Sequence, residues 1–150
     1  MNYEELSKIE KEMEDATEEE RWNKVLEYFP NFKLSTTKTG VNNKGANKYR
    51  VTVKNNNEKF TTTFTDSLYN TCKGIKSSNI SILYCIIMDA QCYEQNDSLE
   101  SFCSAFGYDL YEERSKAEKC YYGCEKQYNN IIKLFGNEGY EILSAITSQM

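Results

Sequence analysis

Lys48-Tyr49-Arg50-Val51-Thr52-Val53-Lys54 alternates without a break: Tyr49, Val51 and Val53 fall on one side, Lys48, Arg50, Thr52 and Lys54 on the other. A period of two marks a strand with one face buried, because successive side chains of an extended chain point to opposite faces. Asn55-Asn56-Asn57 follows, and Asn tolerates the positive φ of a tight turn. Lys59–Thr65 then alternates again, with Phe60, Thr62 and Phe64 against Thr61, Thr63 and Thr65. The stretch reads as an antiparallel hairpin. Upstream, Phe32, Leu34 and Thr36 alternate with polar residues and suggest a further strand, while Thr39-Gly40 through Gly45 has the composition of a loop.

Helical signals flank this region. Leu6, Ile9 and Met13 form a narrow apolar stripe within 3–15. Thr17-Glu18-Glu19-Glu20 has the pattern of a capping box, and Trp22, Val25, Leu26 and Phe29 give the helix it opens an apolar face that Pro30 ends. Residues 66–79 read as a connecting loop with room for a turn of helix; 80–87 would also suit a buried strand, but the apolar period continues to Tyr93, so Ile80–Tyr93 reads as the central core helix, with Leu83, Ile86, Ile87 and Ala90 on one face. Asp97-Ser98-Leu99-Glu100 repeats the capping pattern before a short helix that should bury Leu99, Phe102, Cys103 and Phe106 and stop at Gly107. A long helix then starts between Asp109 and Ser115, runs its apolar side from Ala117 to Phe135 and ends at Gly136; Gly139–Ser148 forms a last helix.

Charge is sorted along the chain. Residues 1–29 carry ten acids and four bases, 30–80 two acids and nine bases, and 81–150 eleven acids and five bases. The overall charge of −5 thus hides a basic middle between acidic ends. Such asymmetry points to a charged partner, or to one part of the chain lying on another. Glu10, Glu12, Glu14, Asp15, Glu18, Glu19 and Glu20 read either as a solvated helix face or as a surface that imitates nucleic-acid phosphate. Lys48, Arg50, Lys54 and Lys59 read either as a strand face kept soluble or as a nucleic-acid contact. Against the second stands the placement of Tyr49, Phe60 and Phe64 on the opposite face, since a single-strand platform needs rings and bases on one surface.

Catalytic patterns are missing. The chain has no His, so the commonest general base near neutral pH and the Ser-His-Asp and Cys-His arrangements are absent. No GxxxxGK[ST] or GxGxxG occurs. Six cysteines (Cys72, Cys85, Cys92, Cys103, Cys120, Cys124) accompany no export signal, which predicts buried free thiols in a cytosolic protein. Cys120 and Cys124 share a helix face and would offer two ligands, but the short-knuckle spacing of a zinc site is absent. Neither metal nor cofactor is expected, and no apolar run is long enough to span a membrane.

Three strings carry a resemblance: Tyr49–Val53 with Phe60–Ser67; Ser101-Phe102-Cys103-Ser104-Ala105-Phe106-Gly107-Tyr108-Asp109; and Arg114-Ser115-Lys116-Ala117-Glu118 leading into Tyr121-Tyr122 and Leu134-Phe135-Gly136. Over about residues 48–136 the chain resembles a loosely defined group of small phage and prophage accessory proteins. The resemblance implies a viral setting, a place in the host cytosol and inhibition of host defence of the anti-CRISPR kind, with a host protein such as a CRISPR effector nuclease as partner.

The expected fold is α+β within one domain, 1–150: an acidic helical arm over 1–29, a small antiparallel sheet of two or three strands over 31–65, and a helical region over 80–150 on which the sheet packs. The expected core comprises Phe60, Phe64, Leu83, Ile86, Ile87, Phe102, Phe106, Tyr121, Cys124, Tyr128, Ile131 and Phe135. The leading functional expectation is a non-enzymatic inhibitor of a nucleic-acid-handling host protein, working through the acidic residues. The alternatives are a nucleic-acid-binding accessory protein working through the basic hairpin, and an assembly protein that self-associates through a Tyr-rich helix over 110–135.

Overall fold

The computed structural model describes residues 2–65 and 78–150. Its elements are α1 (Tyr3–Glu12), α2 (Glu18–Tyr28), β1 (Lys33–Val41), β2 (Asn47–Asn55), β3 (Glu58–Thr65), α3 (Asn79–Glu94), α4 (Leu99–Phe106) and α5 (Arg114–Thr147). The class is α+β, with one three-stranded antiparallel sheet in the order β1-β2-β3. Two compact units are formed, Asp15–Ile82 and Met1–Glu14 with Leu83–Met150. The acidic stretch 1–29 therefore divides between them at Glu14/Asp15. The expected loop over 66–79, with Cys72, lies largely outside the described residues.

In the unit Asp15–Ile82, the capping box forms as the spacing predicts. The Thr17 hydroxyl accepts from Glu20 N–H at 3.1 Å, and the Glu20 carboxylate accepts from Thr17 N–H at 3.3 Å. Two otherwise orphaned donors are thereby satisfied at the start of α2. Trp22 meets Phe32 edge to face, ring centroids 5.3 Å apart. The hairpin registers Val53 on Phe60 and Tyr49 on Phe64, leaving Asn56-Asn57 as its loop with Asn56 at φ 55°. Val51 and Val53 are fully buried and Phe60 nearly so. Phe64 is only half-buried, because it lies at the end of an edge strand where neighbours exist on fewer sides.

β1 differs from expectation at its end. The strand continues through Thr39-Gly40 to Val41, with a bulge between Lys38 and Gly40 that absorbs an extra residue. The connection is then short: the Asn42 carboxamide oxygen accepts from Lys44 and Ala46 N–H, both at 2.9 Å, and holds the turn into β2.

In the unit Met1–Glu14 with Leu83–Met150, α1 and α4 both pack on α5. Ile9 and Met13 bury the stripe of α1, and Leu83, Ile86, Ile87 and Ala90 bury that of α3. The cap of α4 sits one residue later than the spacing suggests: Ser98, not Asp97, accepts from Ser101 N–H. Gly107 closes α4 at φ 75°, the left-handed region in which glycine carries no Cβ penalty. Phe106, expected in the core, is 49% exposed. As the last residue of α4 it covers the Phe102 ring on one side, centroids 4.7 Å apart, and leaves its own outer face open.

α5 starts at Arg114, within the expected interval, with no side-chain hydrogen bond from its N-cap Glu113. Asp109 instead organises the turn before the helix, accepting from Tyr111 N–H at 2.9 Å and Glu112 N–H at 2.8 Å, while Glu113 accepts from Asp109 N–H. Those two donors hold the Asp109 carboxyl below its ordinary range. Along α5, Tyr121, Cys124 and Ile131 are buried, whereas Tyr128 and Phe135 are half-buried. Gly136 breaks the helix at φ 74°, ψ 175°, so the apolar stripe shifts there, and the last segment buries Tyr140, Leu143 and Ile146.

Candidate functional site

All seven acidic candidates are exposed. Glu10 and Glu12 lie on α1, and Glu14 lies just after it, in one unit; Asp15, at φ 62°, and Glu18, Glu19 and Glu20, in the first turn of α2, belong to the other. Carboxylates in that first turn are favoured by the positive end of the helix dipole. Glu20 serves the capping box, and Glu18 accepts from the Ser81 hydroxyl at 3.2 Å. Among the described residues Glu10, Glu14, Asp15 and Glu19 form no ion pair, and within the unit Asp15–Ile82 none of Asp15, Glu18, Glu19 and Glu20 pairs with Lys48, Arg50, Lys54 or Lys59.

The four basic candidates share the exposed face of the sheet. Strand register adds a fifth, Lys33, which stands opposite Lys54, itself opposite Lys59. Arg50 lies between Thr37 and Thr63, and Lys48 between Gly40 and Thr65. The remaining row is Ser35, Thr52 and Thr61, with the two threonine hydroxyls 3.5 Å apart. Glu58, the only acid in the three strands, has the opposite parity. As the alternation requires, Tyr49, Phe60 and Phe64 turn to the other face. Beside Lys33 and Lys54 an open depression of about 520 Å³ is lined by Pro30, Asn31, Asn56 and Asn57 as well, with Asn31 Nδ2 donating to Asn56 Oδ1 at 2.8 Å. Lys33 escaped the sequence reading because nothing in a single strand tells which residue will stand beside it; its place outside the alternating apolar positions was the available signal.

Three of the thiols, Cys85, Cys92 and Cys124, lack the electrostatics of a reactive site. Cys85, Cys92, Cys103, Cys120 and Cys124 are free. Cys103 and Cys124 are buried, Cys85 and Cys92 half-buried, and Cys120, contrary to the expectation of burial, exposed. Burial first, then the carboxylate of Asp89 and the neighbouring Cys120 and Cys92, push the Cys124 thiol up to about 12. Cys85 and Cys92 are also raised, by burial and then by Asp89. Thiols held protonated near neutral pH are poor nucleophiles and poor metal ligands. Among the described residues no three His, Cys, Asp or Glu side chains form a group able to hold a metal ion. No helix of the described residues is long and apolar enough to cross a membrane.

Asp89 is half-buried, and burial raises its own carboxyl. An acid whose pKa is higher folded than unfolded stabilises fully below the unfolded value and loses that contribution as pH rises through the folded one. Above the unfolded value Asp89 therefore opposes folding, and does so fully once pH has passed the folded one. Asp89→Asn is expected to raise the urea midpoint at pH 7, with the gain vanishing below about pH 3.5, under the ordinary carboxyl range; equal gains at both pH values would show that ionisation is not the cause.

Compared with protein-family models, with curated proteins and with solved structures, the chain matches none.

Proposed function

We propose that this is a non-enzymatic phage or prophage protein that binds and inhibits a nucleic-acid-handling protein of host defence, such as a CRISPR effector nuclease. The exposed N-terminal carboxylates would occupy a basic channel in place of phosphates. The observation that carries this reading is that these carboxylates are on the surface, and that those of Asp15, Glu18, Glu19 and Glu20 are not neutralised by the hairpin's own cations among the described residues. Complementary charge of this kind steers encounter and rejects mispaired partners at a cost of several kcal/mol. The absence of His and the raised thiols support a protein that works by covering a surface.

The test keeps Glu18 and Glu20, which have local structural roles, and changes Glu10, Glu14 and Glu19 to Lys and Asp15 to Asn, a residue that accepts positive φ. In target-cleavage assays with a panel of CRISPR effectors, the wild type should block cleavage. The variant should need at least ~100-fold more protein, about 2.7 kcal/mol, with circular dichroism unchanged. A variant as potent as the wild type rejects the phosphate-imitating surface; a wild type that blocks no effector removes the effectors as targets.

A further inference from the structure

We infer that the exposed face of the β1-β2-β3 sheet is a binding surface for the phosphate backbone of double-stranded nucleic acid. This goes beyond the inhibitor reading and does not depend on it.

Register places Lys33, Lys54 and Lys59 in a single row across all three strands. At about 4.8 Å between strands, the outer two backbones of that row stand only ~10 Å apart. Like charges directly opposite one another destabilise a sheet, and here two such pairs are adjacent. Among the described residues the three lysines, Arg50 and Lys48 form no ion pair, and by strand parity no carboxylate of the strands lies on this face. An arrangement that is unfavourable in the free protein becomes favourable against a dense line of negative charge.

The other side chains of the face suit the same partner. Ser35, Thr37, Thr52, Thr61, Thr63 and Thr65 supply hydroxyls among the cations. Together with Lys and Arg, Ser and Thr are among the side chains that bond phosphate oxygens. The depression that Lys33 and Lys54 share with Asn31, Asn56 and Asn57 adds amide donors and holds no acid, so it can seat one phosphate group at the end of the row. What is missing decides between single strand and duplex. Single strands are held by bases stacked on rings, and every aromatic residue of the sheet lies on the opposite face. A face with cations and hydroxyls but no ring meets a backbone whose bases stay paired.

Fluorescence anisotropy with a labelled duplex of mixed sequence, as DNA and as RNA, tests this on the full chain. With all five cations in contact, log K should fall with log salt at a slope near −4.5, at about 0.9 per phosphate neutralised on B-DNA. Lys33→Gln, Lys54→Gln and Lys59→Gln together should flatten that slope by about 2.7. The three side chains are exposed, so the variant should keep the circular dichroism of the wild type. Binding of either duplex with this change of slope supports the surface. Failure of both duplexes to bind at low salt, an unchanged slope in the triple variant, or tighter binding of a single strand than of either duplex overturns it. The carboxylate variant should still bind duplex, so failure here and failure of inhibition are separable.

Discussion

Phe102→Ala is expected to lower the free energy of unfolding by about 3–5 kcal/mol, as large-to-small changes at fully buried rings do. Phe102 is 1% exposed and forms a buried cluster with Tyr121 and Cys124, with Cys92, Tyr93, Leu99 and Tyr108 packed around it. Its ring lies 4.7 Å from Phe106, 5.2 Å from Tyr121 and 6.1 Å from Tyr108, so truncation removes three aromatic contacts and opens a void between α4 and α5. Each such ring pair is worth about 0.5–1.5 kcal/mol beyond its buried area. Phe106→Ala removes only one of these contacts from a ring already half in water, and should cost well under half as much. Urea denaturation monitored by circular dichroism measures both; equal losses for the two residues would show that the cluster is not centred on Phe102.

The second expected result concerns the sign of an effect. Gly136 and Gly123 both lie within α5. Helix propensity favours Ala over Gly by roughly 1 kcal/mol in a helix interior, and on that ground both Gly→Ala changes should stabilise. At Gly123 the backbone is helical and an added Cβ meets no atom within 4 Å, so a gain of about 0.5–1 kcal/mol is expected. At Gly136 there is equally open space, but φ 74° with ψ 175° falls in a region open essentially to glycine alone. Gly136→Ala should therefore cost about 1–3 kcal/mol from the backbone, not from a clash. Stabilisation by both substitutions would mean that the break at Gly136 is not kept in solution.

Much of the fold is legible in the chain because its determinants are local. The hairpin follows from a period of two over 48–65 and from Asn56 at its loop, the box at Thr17 from a spacing of three, and the end of α4 from Gly107. Where several local solutions compete, residue order alone does not choose among them. Asp97 and Ser98 are both good caps, and the choice fell on Ser98 as Asn96 became a junction: its amide donates to Cys92 O, its side-chain oxygen accepts from Ser101, and its backbone carbonyl accepts from the Tyr121 hydroxyl. Of these bonds, the one from Tyr121 arrives from another helix and has no signature in the residues around Asn96.

The candidate surfaces divide in the same way. That Lys48, Arg50, Lys54 and Lys59 share a face follows from alternation on either side of one turn, and that the carboxylates between positions 10 and 20 are solvated follows from their density. Alternation acts between neighbours one and two positions apart, so residue order is enough to specify it. The row of Lys33 beside Lys54 and Lys59, and the parting of the N-terminal carboxylates between two compact units, depend on which distant segments pair and pack. Long-range pairing is settled by burial of whole faces and by register, in which a one-residue slip would turn every side chain of β1 to the other side; that choice belongs to the assembled sheet.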